Sequence, residues 1–241
     1  MSLALQNWLI LGSSGSGKTY YLNMLLEEFR SHVRYLVVVN STRQLQQHCA
    51  HHEYVSNADL DKQYSPEMLA NLIRAKGSIH FEVAPSKKAK AFLNSLSEAV
   101  MSLGVFEAES LQVLVVVDEC QNYVSKQCYS EGWNRIETEG RKFGIGVMKA
   151  TQNITSTGQT AIEPDAVKQV TRLVVFPLSE VNQRRRILEW YPEMTDPGDL
   201  KMPDLANGWG PEYLIRDRPT GRADRLTRQP DGSRIPVRIG T

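Results

Sequence analysis

The chain has 241 residues and a formal net charge of +1, so it is long enough to bury one sizeable hydrophobic core. A charge so close to zero excludes a protein that coats nucleic acid through its overall charge alone. Hydrophobic residues make up 41% of the chain and charged residues 23%, which is typical of globular proteins, and no apolar run approaches the roughly 18 residues of a membrane span.

Neither the cysteines nor the start of the chain indicates an oxidising or extracellular setting. Cys49, Cys120 and Cys128 are too few and too scattered for a disulfide framework or a zinc site. Residues 1–6 lack the basic end and the long apolar stretch of a signal peptide. We therefore expect free thiols and a cytoplasmic protein.

The first predicted elements are a strand over residues 7–11 and a helix from Lys18 to about Arg30, joined by a glycine-rich loop. The loop reads GSSGSGKT and matches the phosphate-binding pattern G-x-x-x-x-G-K-[ST] at every constrained position. Glycines let the backbone turn its N–H groups inward around phosphate oxygens, and the helix adds its dipole. A flexible Gly/Ser turn is the alternative, but the preceding strand and the following helix argue against it.

All eight loop residues are therefore candidate ligands of a nucleotide's phosphates. The Lys18 side chain reaches the β- and γ-phosphates in such a loop, and the Thr19 hydroxyl binds Mg²⁺. The pattern thus predicts ATP and Mg²⁺ as ligands. The eight residues are Gly12, Ser13, Ser14, Gly15, Ser16, Gly17, Lys18 and Thr19.

The next segment alternates between clear and weak patterns. Residues 34–40 (RYLVVVN) predict a buried strand, and residues 42–49 predict a helix. Residues 50–64 are polar and predict a loop. His51 and His52 lie in it without a cysteine or a paired carboxylate at ligand spacing, so we expect them to be solvated.

A helix over residues 66–75, a strand over 78–83 and a long helix opened by Ser86 come next. Residues 111–117 (LQVLVVV) form the most apolar stretch, as expected for the centre of a parallel sheet. The two residues that follow are Asp118 and Glu119. One interpretation is that they are ordinary acidic residues at the start of a helix.

In a nucleotide site this acid pair has a sharper interpretation. Asp118 would hold Mg²⁺, mostly through water, because a hard cation prefers carboxylate oxygen. Glu119 would act as the general base that polarises the attacking water. The pair therefore favours hydrolysis over nucleotide binding alone.

A helix from about Glu131 leads through GRKFG to a strand over residues 146–151, which ends at Gln152. Gln152 can donate to the γ-phosphate or orient the water, although a strand-end glutamine is more often an ordinary loop hydrogen-bonder. The position of Arg141 by itself favours a role in a surface salt bridge. Its alternative role is an arginine finger that reaches a neighbouring subunit's γ-phosphate.

The remaining segments complete an α/β pattern. Strands that alternate with helices predict a mostly parallel sheet flanked by helices, with ligands at the carboxyl ends of the strands. We expect a core over residues 1–192 and a C-terminal extension over residues 193–241 with a hairpin and a flexible tail. The last predicted elements are a helix at 163–170, a strand at 171–177, a helix at 181–190 and hairpin strands at 212–216 and 222–228.

Three motifs in this order, GSSGSGKT, LVVVDECQNYV and GRKFGIGVMKATQN, together resemble the HerA/FtsK superfamily of ring-forming DNA-pumping ATPases. Within it the chain is most similar to the genome-packaging ATPases of membrane-containing archaeal or bacterial viruses, since only six residues precede the first strand and no added domain is expected. The resemblance covers residues 7–177. It implies a RecA-like P-loop NTPase core with catalytic Lys18 and Glu119, a γ-phosphate sensor at Gln152 and a trans finger at Arg141, with Lys142 as its substitute.

The resemblance implies an ATP-hydrolysing double-stranded DNA translocase that packages a viral genome into a preformed capsid. It further implies a homo-oligomeric ring, most simply a hexamer, sequence-independent DNA contacts, and a capsid or membrane vertex protein as a partner in the host cytoplasm or virion. Candidate channel residues are basic or lie in a polar loop: Lys87, Lys88, Lys90 and residues 154–160. A plasmid or mobile-element DNA-transfer ATPase, a nucleotide kinase and a non-catalytic nucleotide-binding module remain alternatives.

Overall fold

A computed structural model describes residues 7–62, 64–124, 131–154, 167, 169–218, 220–228 and 233–236. Among them, ten strands form one sheet in the order β10-β9-β8-β7-β1-β6-β5-β2-β4-β3. The strands are β1 (Asn7–Leu11), β2 (Tyr35–Asn40), β3 (His51–Val55), β4 (Ser78–Val83), β5 (Val113–Val117), β6 (Ile145–Thr151), β7 (Arg172–Val175), β8 (Glu212–Asp217), β9 (Ala223–Arg228) and β10 (Arg234–Pro236). The helices are α1 (Lys18–Phe29), α2 (Pro66–Lys76), α3 (Lys87–Leu103), α4 (Glu131–Glu139) and α5 (Val181–Trp190).

The seven strands from β1 to β7 pair in parallel, and β8, β9 and β10 continue the sheet in antiparallel pairing. Parallel pairs need a crossover between strands, and helices supply most of these crossovers here. The predicted α/β fold with a mostly parallel sheet is therefore confirmed. The hairpin of β8 and β9 joins this sheet through pairing of β8 with β7.

Both faces of the central sheet are covered, which explains why its strands are almost continuously apolar. Along β5, Val113, Val115 and Val117 point to one hydrophobic cluster, whereas Leu114 and Val116 point to the other. Helix α1 covers the second face, and α2, α3 and α4 cover the first. This arrangement leaves the ends of the strands as the open edges of the core.

The helix predicted over residues 42–49 is wrong. Only a short 3₁₀ turn forms there, over Gln46–His48. The Asn40 side chain explains the difference, because its Oδ1 accepts hydrogen bonds from the Thr42 N–H (3.0 Å) and the Thr42 hydroxyl (3.2 Å). Such a local side-chain bond holds the backbone in a turn that competes with helix formation.

The loop predicted over residues 50–64 is wrong in its first part, where β3 forms the edge of the sheet. Strand β3 pairs in parallel with β4 through its backbone. Its side chains are mostly polar, so the sequence shows no apolar run that indicates a strand. His52 is not solvated: its Nε2 lies 3.0 Å from Glu82 Oε2, and its ring stacks on that of His80 at 5.2 Å.

Several predicted features lie outside the described residues, among them Cys128, residues 155–160 and most of the predicted helix 163–170. Of the two described cysteines, both free, Cys120 is buried and Cys49 is half-buried. Within the described part of the chain, none of the helices has the length and apolar character needed to cross a membrane.

The buried His80 predicts a specific loss of stability in acid. Its side chain is fully buried, and burial followed by the nearby His52 lowers the pKa of His80 to about 4, although Glu82 opposes the shift. Because the unfolded chain takes up this proton near pH 6.5 and the folded chain only near pH 4, His80 destabilises the fold progressively between those values. We expect His80→Leu to remove about 2 kcal/mol of the difference in unfolding free energy between pH 8 and pH 5.

Urea denaturation at pH 8 and at pH 5 measures this difference. A loss of stability that is equal at the two pH values does not change the difference. His32→Leu replaces an exposed histidine and serves as the matched control, for which we expect no change in the difference. An unchanged pH dependence in His80→Leu would contradict the prediction.

Candidate functional site

Strand pairing brings the predicted site residues to one rim of the sheet. Leu11, the last residue of β1, is in register with Thr151 of β6, and β5 lies directly beside β6. The glycine-rich loop, the acid pair after β5 and Gln152 after β6 therefore emerge side by side at the carboxyl ends of parallel strands. They line one cleft of about 820 Å³.

The glycine-rich loop has the backbone shape of an anion-binding nest. Gly15 and Gly17 have φ values of 72° and 102°, which side chains with a Cβ rarely adopt. Ser16 is fully buried within the loop, and its hydroxyl has no hydrogen-bond partner among the described residues. Buried polar groups are normally paired, so this loop fits an incoming anion.

Lys18 is almost fully buried in the first turn of α1 and points back over the loop. Its Nζ donates to the carbonyl oxygens of Gly12 (2.8 Å) and Ser13 (2.9 Å). Burial lowers the pKa of Lys18, whereas the carboxylates of Glu119 and Asp118 act in the opposite direction. The ammonium group thus lies between the loop and the acid pair.

Asp118 is buried at the end of β5, with 3% of its surface exposed. Its Oδ1 accepts the backbone N–H of Glu119 at 2.9 Å, and its Oδ2 lies 3.4 Å from Asn40 Nδ2. Burial, then the charge of Glu119, raises the pKa of Asp118 to about 6, against the effects of that backbone bond and of Lys18. A buried carboxylate that is costly to ionise is one that a cation would stabilise.

Glu119 occupies a left-handed backbone conformation, with φ 49°, that is uncommon for a residue with a side chain. Its two carboxylate oxygens each accept an amide hydrogen bond of 2.5 Å, one from Gln152 Nε2 and one from Gln121 Nε2. Gln121 in turn accepts the Thr151 hydroxyl at 2.7 Å. This network joins the ends of β5 and β6 and fixes the carboxylate at the cleft.

The cleft also fits Mg²⁺ as a cation that is shared with phosphates. Thr19 and Asp118 both line it and supply hydroxyl and carboxylate oxygens, the ligands that Mg²⁺ prefers. Among the described residues, no group of three or more His, Cys, Asp or Glu side chains could hold a metal ion by itself. A protein that binds Mg²⁺ together with a nucleotide needs only one or two ligands of its own.

Arg141 does not lie at this rim. It is exposed in the 3₁₀ turn Gly140–Phe143, which precedes β6, whereas Gln152 follows β6. Lys142 is exposed in the same turn, so both cations lie at the amino-terminal end of that strand. The structure therefore does not bring the predicted finger together with the other site residues within one subunit.

The channel candidates Lys88 and Lys90 do not line this cleft. In α3, Lys88 is exposed and Lys90 half-buried. The three arginines of α5 make ion pairs with nearby acids: Arg184 with Asp196, and both Arg185 and Arg186 with Glu189. These pairs agree with the solvated helix face that is the default for consecutive arginines.

Sequence reasoning missed two contributors to the cleft and one residue, Gln121, that holds Glu119 from outside its lining. Asn40 ends β2 and Gln121 follows the acid pair, and the rule that ligands collect at strand ends could have indicated both. The second contributor is the segment from Pro203 to Pro211, whose residues Pro203, Gly208, Trp209, Gly210 and Pro211 line the cleft. It has no repeating pattern that relates it to the glycine-rich loop, which lies about 190 positions earlier in the chain.

A comparison with protein-family models finds no match, and a comparison with curated protein sequences finds none either. Among solved structures, the fold is similar to that of the genome-packaging NTPase B204 of Sulfolobus turreted icosahedral virus 2, in complex with AMPPCP. The TM-score is 0.65 at 14% identity, and the match covers 92% of this chain and 97% of that one. B204 of Sulfolobus turreted icosahedral virus, a DNA-packaging ATPase, gives a TM-score of 0.64 at 16% identity over 91% and 96% of the two chains.

A third solved structure has a lower TM-score and is matched over less of its length. EssC (ATPases 2 and 3) from Geobacillus thermodenitrificans has a TM-score of 0.52 at 13% identity, over 92% of this chain and 39% of that one. The resemblance predicted from the motifs is thus confirmed at the level of the fold. The chain has the P-loop NTPase fold of these ATPases, and it matches the viral packaging NTPase B204 over nearly the whole length of both chains.

Proposed function

We propose that the protein is an ATP-hydrolysing motor that moves double-stranded DNA and packages a viral genome. The observation that carries the proposal is the meeting of the glycine-rich loop, the acid pair and Gln152 at a single cleft. A phosphate loop alone supports nucleotide binding. An adjacent acid pair, in which hydrogen bonds fix the Glu119 carboxylate, supports hydrolysis. The shared fold with B204, described as a packaging NTPase, supports the motor role.

The loop and Lys18 would bind the triphosphate. Residues 14–19 line the cleft where phosphate oxygens would lie, and the buried Ser16 hydroxyl has no hydrogen-bond partner among the described residues. The Lys18 ammonium now bonds two loop carbonyls, and it would exchange them for the β- and γ-phosphate oxygens. Charge neutralisation at this point favours both binding and the transfer of the γ-phosphoryl group.

Thr19 and Asp118 would hold Mg²⁺, which neutralises charge on the phosphates when it is bound. The Asp118 carboxylate is buried, and Mg²⁺ would add a positive partner to the one that Lys18 already provides. Asn40 and the Glu119 N–H hold the two Asp118 oxygens in place. The chain itself thus orients the acid before any ligand arrives.

Glu119 would accept the proton of the attacking water, and Gln152 would report the state of the γ-phosphate. The Glu119 carboxylate is held by amide donors of Gln121 and Gln152. Donation from Gln152 to a γ-phosphate would release one carboxylate oxygen to the water. Hydrolysis would return Gln152 to Glu119, and this exchange provides a two-state element that depends on the nucleotide.

The motor would act as a homo-oligomeric ring, most simply a hexamer, with DNA in its central channel. Arg141 lies at the opposite end of β6 from the cleft, so it can serve as a finger only towards another subunit's nucleotide. Head-to-tail contacts that close into a ring present one end of each subunit to the site of the next. Lys88, Lys90 and the other basic candidates would contact DNA phosphates without reading the sequence.

Glu119→Gln tests the catalytic assignment. We expect ATP turnover to fall at least about 100-fold, because the general base is lost, while ATP affinity changes little, because the phosphate loop is intact. A steady-state phosphate-release assay and equilibrium ATP binding measure the two quantities. Turnover without any added acceptor also separates an ATPase from a nucleotide kinase.

Glu107→Gln is the matched control, since Glu107 is an exposed acid that also has positive φ but lies outside the cleft. Its turnover should equal that of the wild type. Full activity in Glu119→Gln would remove Glu119 from the mechanism. Retained ATP binding without turnover in the wild type would instead support the non-catalytic module.

The proposed ring and its DNA substrate predict how activity depends on conditions. The ATPase rate per subunit should rise with protein concentration, because the complete site needs a neighbour. Double-stranded DNA should stimulate it, and the stimulation should fade steeply as salt increases, because phosphate contacts release counterions. A concentration series with and without DNA at two salt levels measures this, and a rate independent of both concentration and DNA would contradict the motor proposal.

Mixed assemblies test Arg141. We expect Arg141→Ala and Lys18→Ala to be inactive alone and to recover activity when mixed, because about a quarter of randomly formed interfaces then pair an intact loop with an intact finger. Phosphate release from the mixture measures the recovery. Arg141→Ala subunits with normal turnover would exclude the role, and Lys142→Ala tests the substitute in the same way.

A further inference from the structure

The cleft has two chemically different sides, one on each flank of β1. The acids and Gln152 follow β5 and β6, on one side of β1. On the other side lie β7 and β8, and antiparallel pairing of β8 with β7 puts Val175 opposite Leu214. The start of β8 is therefore at the same rim, and the 203–211 segment that precedes it forms the second wall of the cleft.

The residues of this second wall that line the cleft carry no charged side chain, and one of them, Trp209, is aromatic. Trp209 is 51% exposed and Tyr20, in the first turn of α1, is 55% exposed, although both line the cleft. The other wall residues are Pro203, Gly208, Gly210 and Pro211. Among these wall residues of the 203–211 segment, the indole N–H of Trp209 is the only side-chain hydrogen-bonding group.

Hydrogen bonds within the 203–211 segment shape this wall, and the Pro211 side chain packs it against the phosphate loop. Trp209 and Asp204 exchange two backbone hydrogen bonds, of 3.0 and 2.9 Å, and the Asp204 carboxylate accepts the Asn207 side-chain amide at 2.7 Å. Pro211 packs on the loop so closely that a Cβ at Gly17 would lie 2.6 Å from its Cγ. A large aromatic side chain exposed on such a supported turn leaves an apolar face open to a ligand.

The orientation expected for a bound triphosphate places its nucleoside beside this wall. In a phosphate loop the lysine and the acids contact the γ-phosphate end, and the backbone cradles the phosphates nearer the nucleoside. Lys18 lies near Asp118 and Glu119. The nucleoside end would then leave the loop on the opposite flank, where Tyr20 and Trp209 lie.

We propose that Trp209 is the nucleobase platform of this site, with Tyr20 bounding the same space. The inference rests on the proposed nucleotide-binding function and specifies its base subsite. Stacking on an indole does not depend on the hydrogen-bonding groups at the edge of the base, and it is stronger for the larger purine rings than for pyrimidine rings. The site would therefore accept ATP and GTP alike and bind both more tightly than CTP or UTP.

The test compares nucleotides with inorganic tripolyphosphate, which has the phosphates but no base. Calorimetric binding in the presence of Mg²⁺ is measured for ATP, GTP, CTP and tripolyphosphate. We expect Trp209→Ala to weaken ATP and GTP at least about fivefold and to leave tripolyphosphate within twofold. Trp209→Phe keeps a stacking ring and should lose less affinity than Trp209→Ala.

Phe106→Ala is the matched control, because Phe106 is an exposed aromatic residue outside the cleft; its affinities should match the wild type. Equal ATP affinity in wild type and Trp209→Ala would overturn the base platform while leaving the phosphate site intact. Equal loss of ATP and tripolyphosphate would overturn it too, since the variant would then have disturbed the loop that Pro211 supports. A wild type that binds neither would remove the proposed nucleotide function and the base platform with it.

Discussion

The position of β1 between β6 and β7 is the constraint on which the cleft depends. Leu11 ends β1 in register with Thr151, so the chain leaves β1 at the level where its neighbour also ends. The Gly12 N–H then donates to the Thr151 carbonyl at 3.3 Å, and the Ser13 N–H donates to the Pro177 carbonyl at 3.0 Å. Backbone bonds thus anchor the glycine-rich loop on both sides before α1 begins, and every other cleft residue is positioned relative to it.

Most of the fold was predictable because buried parallel strands leave a strong pattern of apolar runs. The strands β1, β2, β4, β5 and β6 were all found within one or two residues of their ends. The edge strand β3 was not, because it buries little and is held by backbone pairing to β4, which polar side chains such as His51 and His52 conceal. The helix predicted after β2 failed because the Asn40 side chain bonds Thr42 locally and holds a turn.

The candidate site likewise has one part that was predictable from the sequence and one part that was not. The loop, Asp118, Glu119 and Gln152 were predictable to the extent that each follows a recognisable strand, and parallel topology collects strand ends at one rim. The 203–211 segment was not predictable, since its approach to Gly17 depends on how β8 joins the sheet. Long-range contacts of this kind follow from tertiary packing and leave no period in the sequence.

In the proposed site, the two flanks of β1 separate the residues for hydrolysis from the residue for binding the base. The acids and glutamines that would act on the γ-phosphate come from β5 and β6, whereas Trp209 comes from the 203–211 segment. The hydrogen bonds that hold Glu119 come from Gln121 and Gln152, so we expect a change at Trp209 to act on the proposed base contact without altering them. Arg141 is separated from both flanks by the seven residues of β6, roughly 20 Å of extended chain. If the proposed site uses an Arg141 side chain at the γ-phosphate end, that side chain must come from another subunit, because the Arg141 of the same chain lies at the far end of β6.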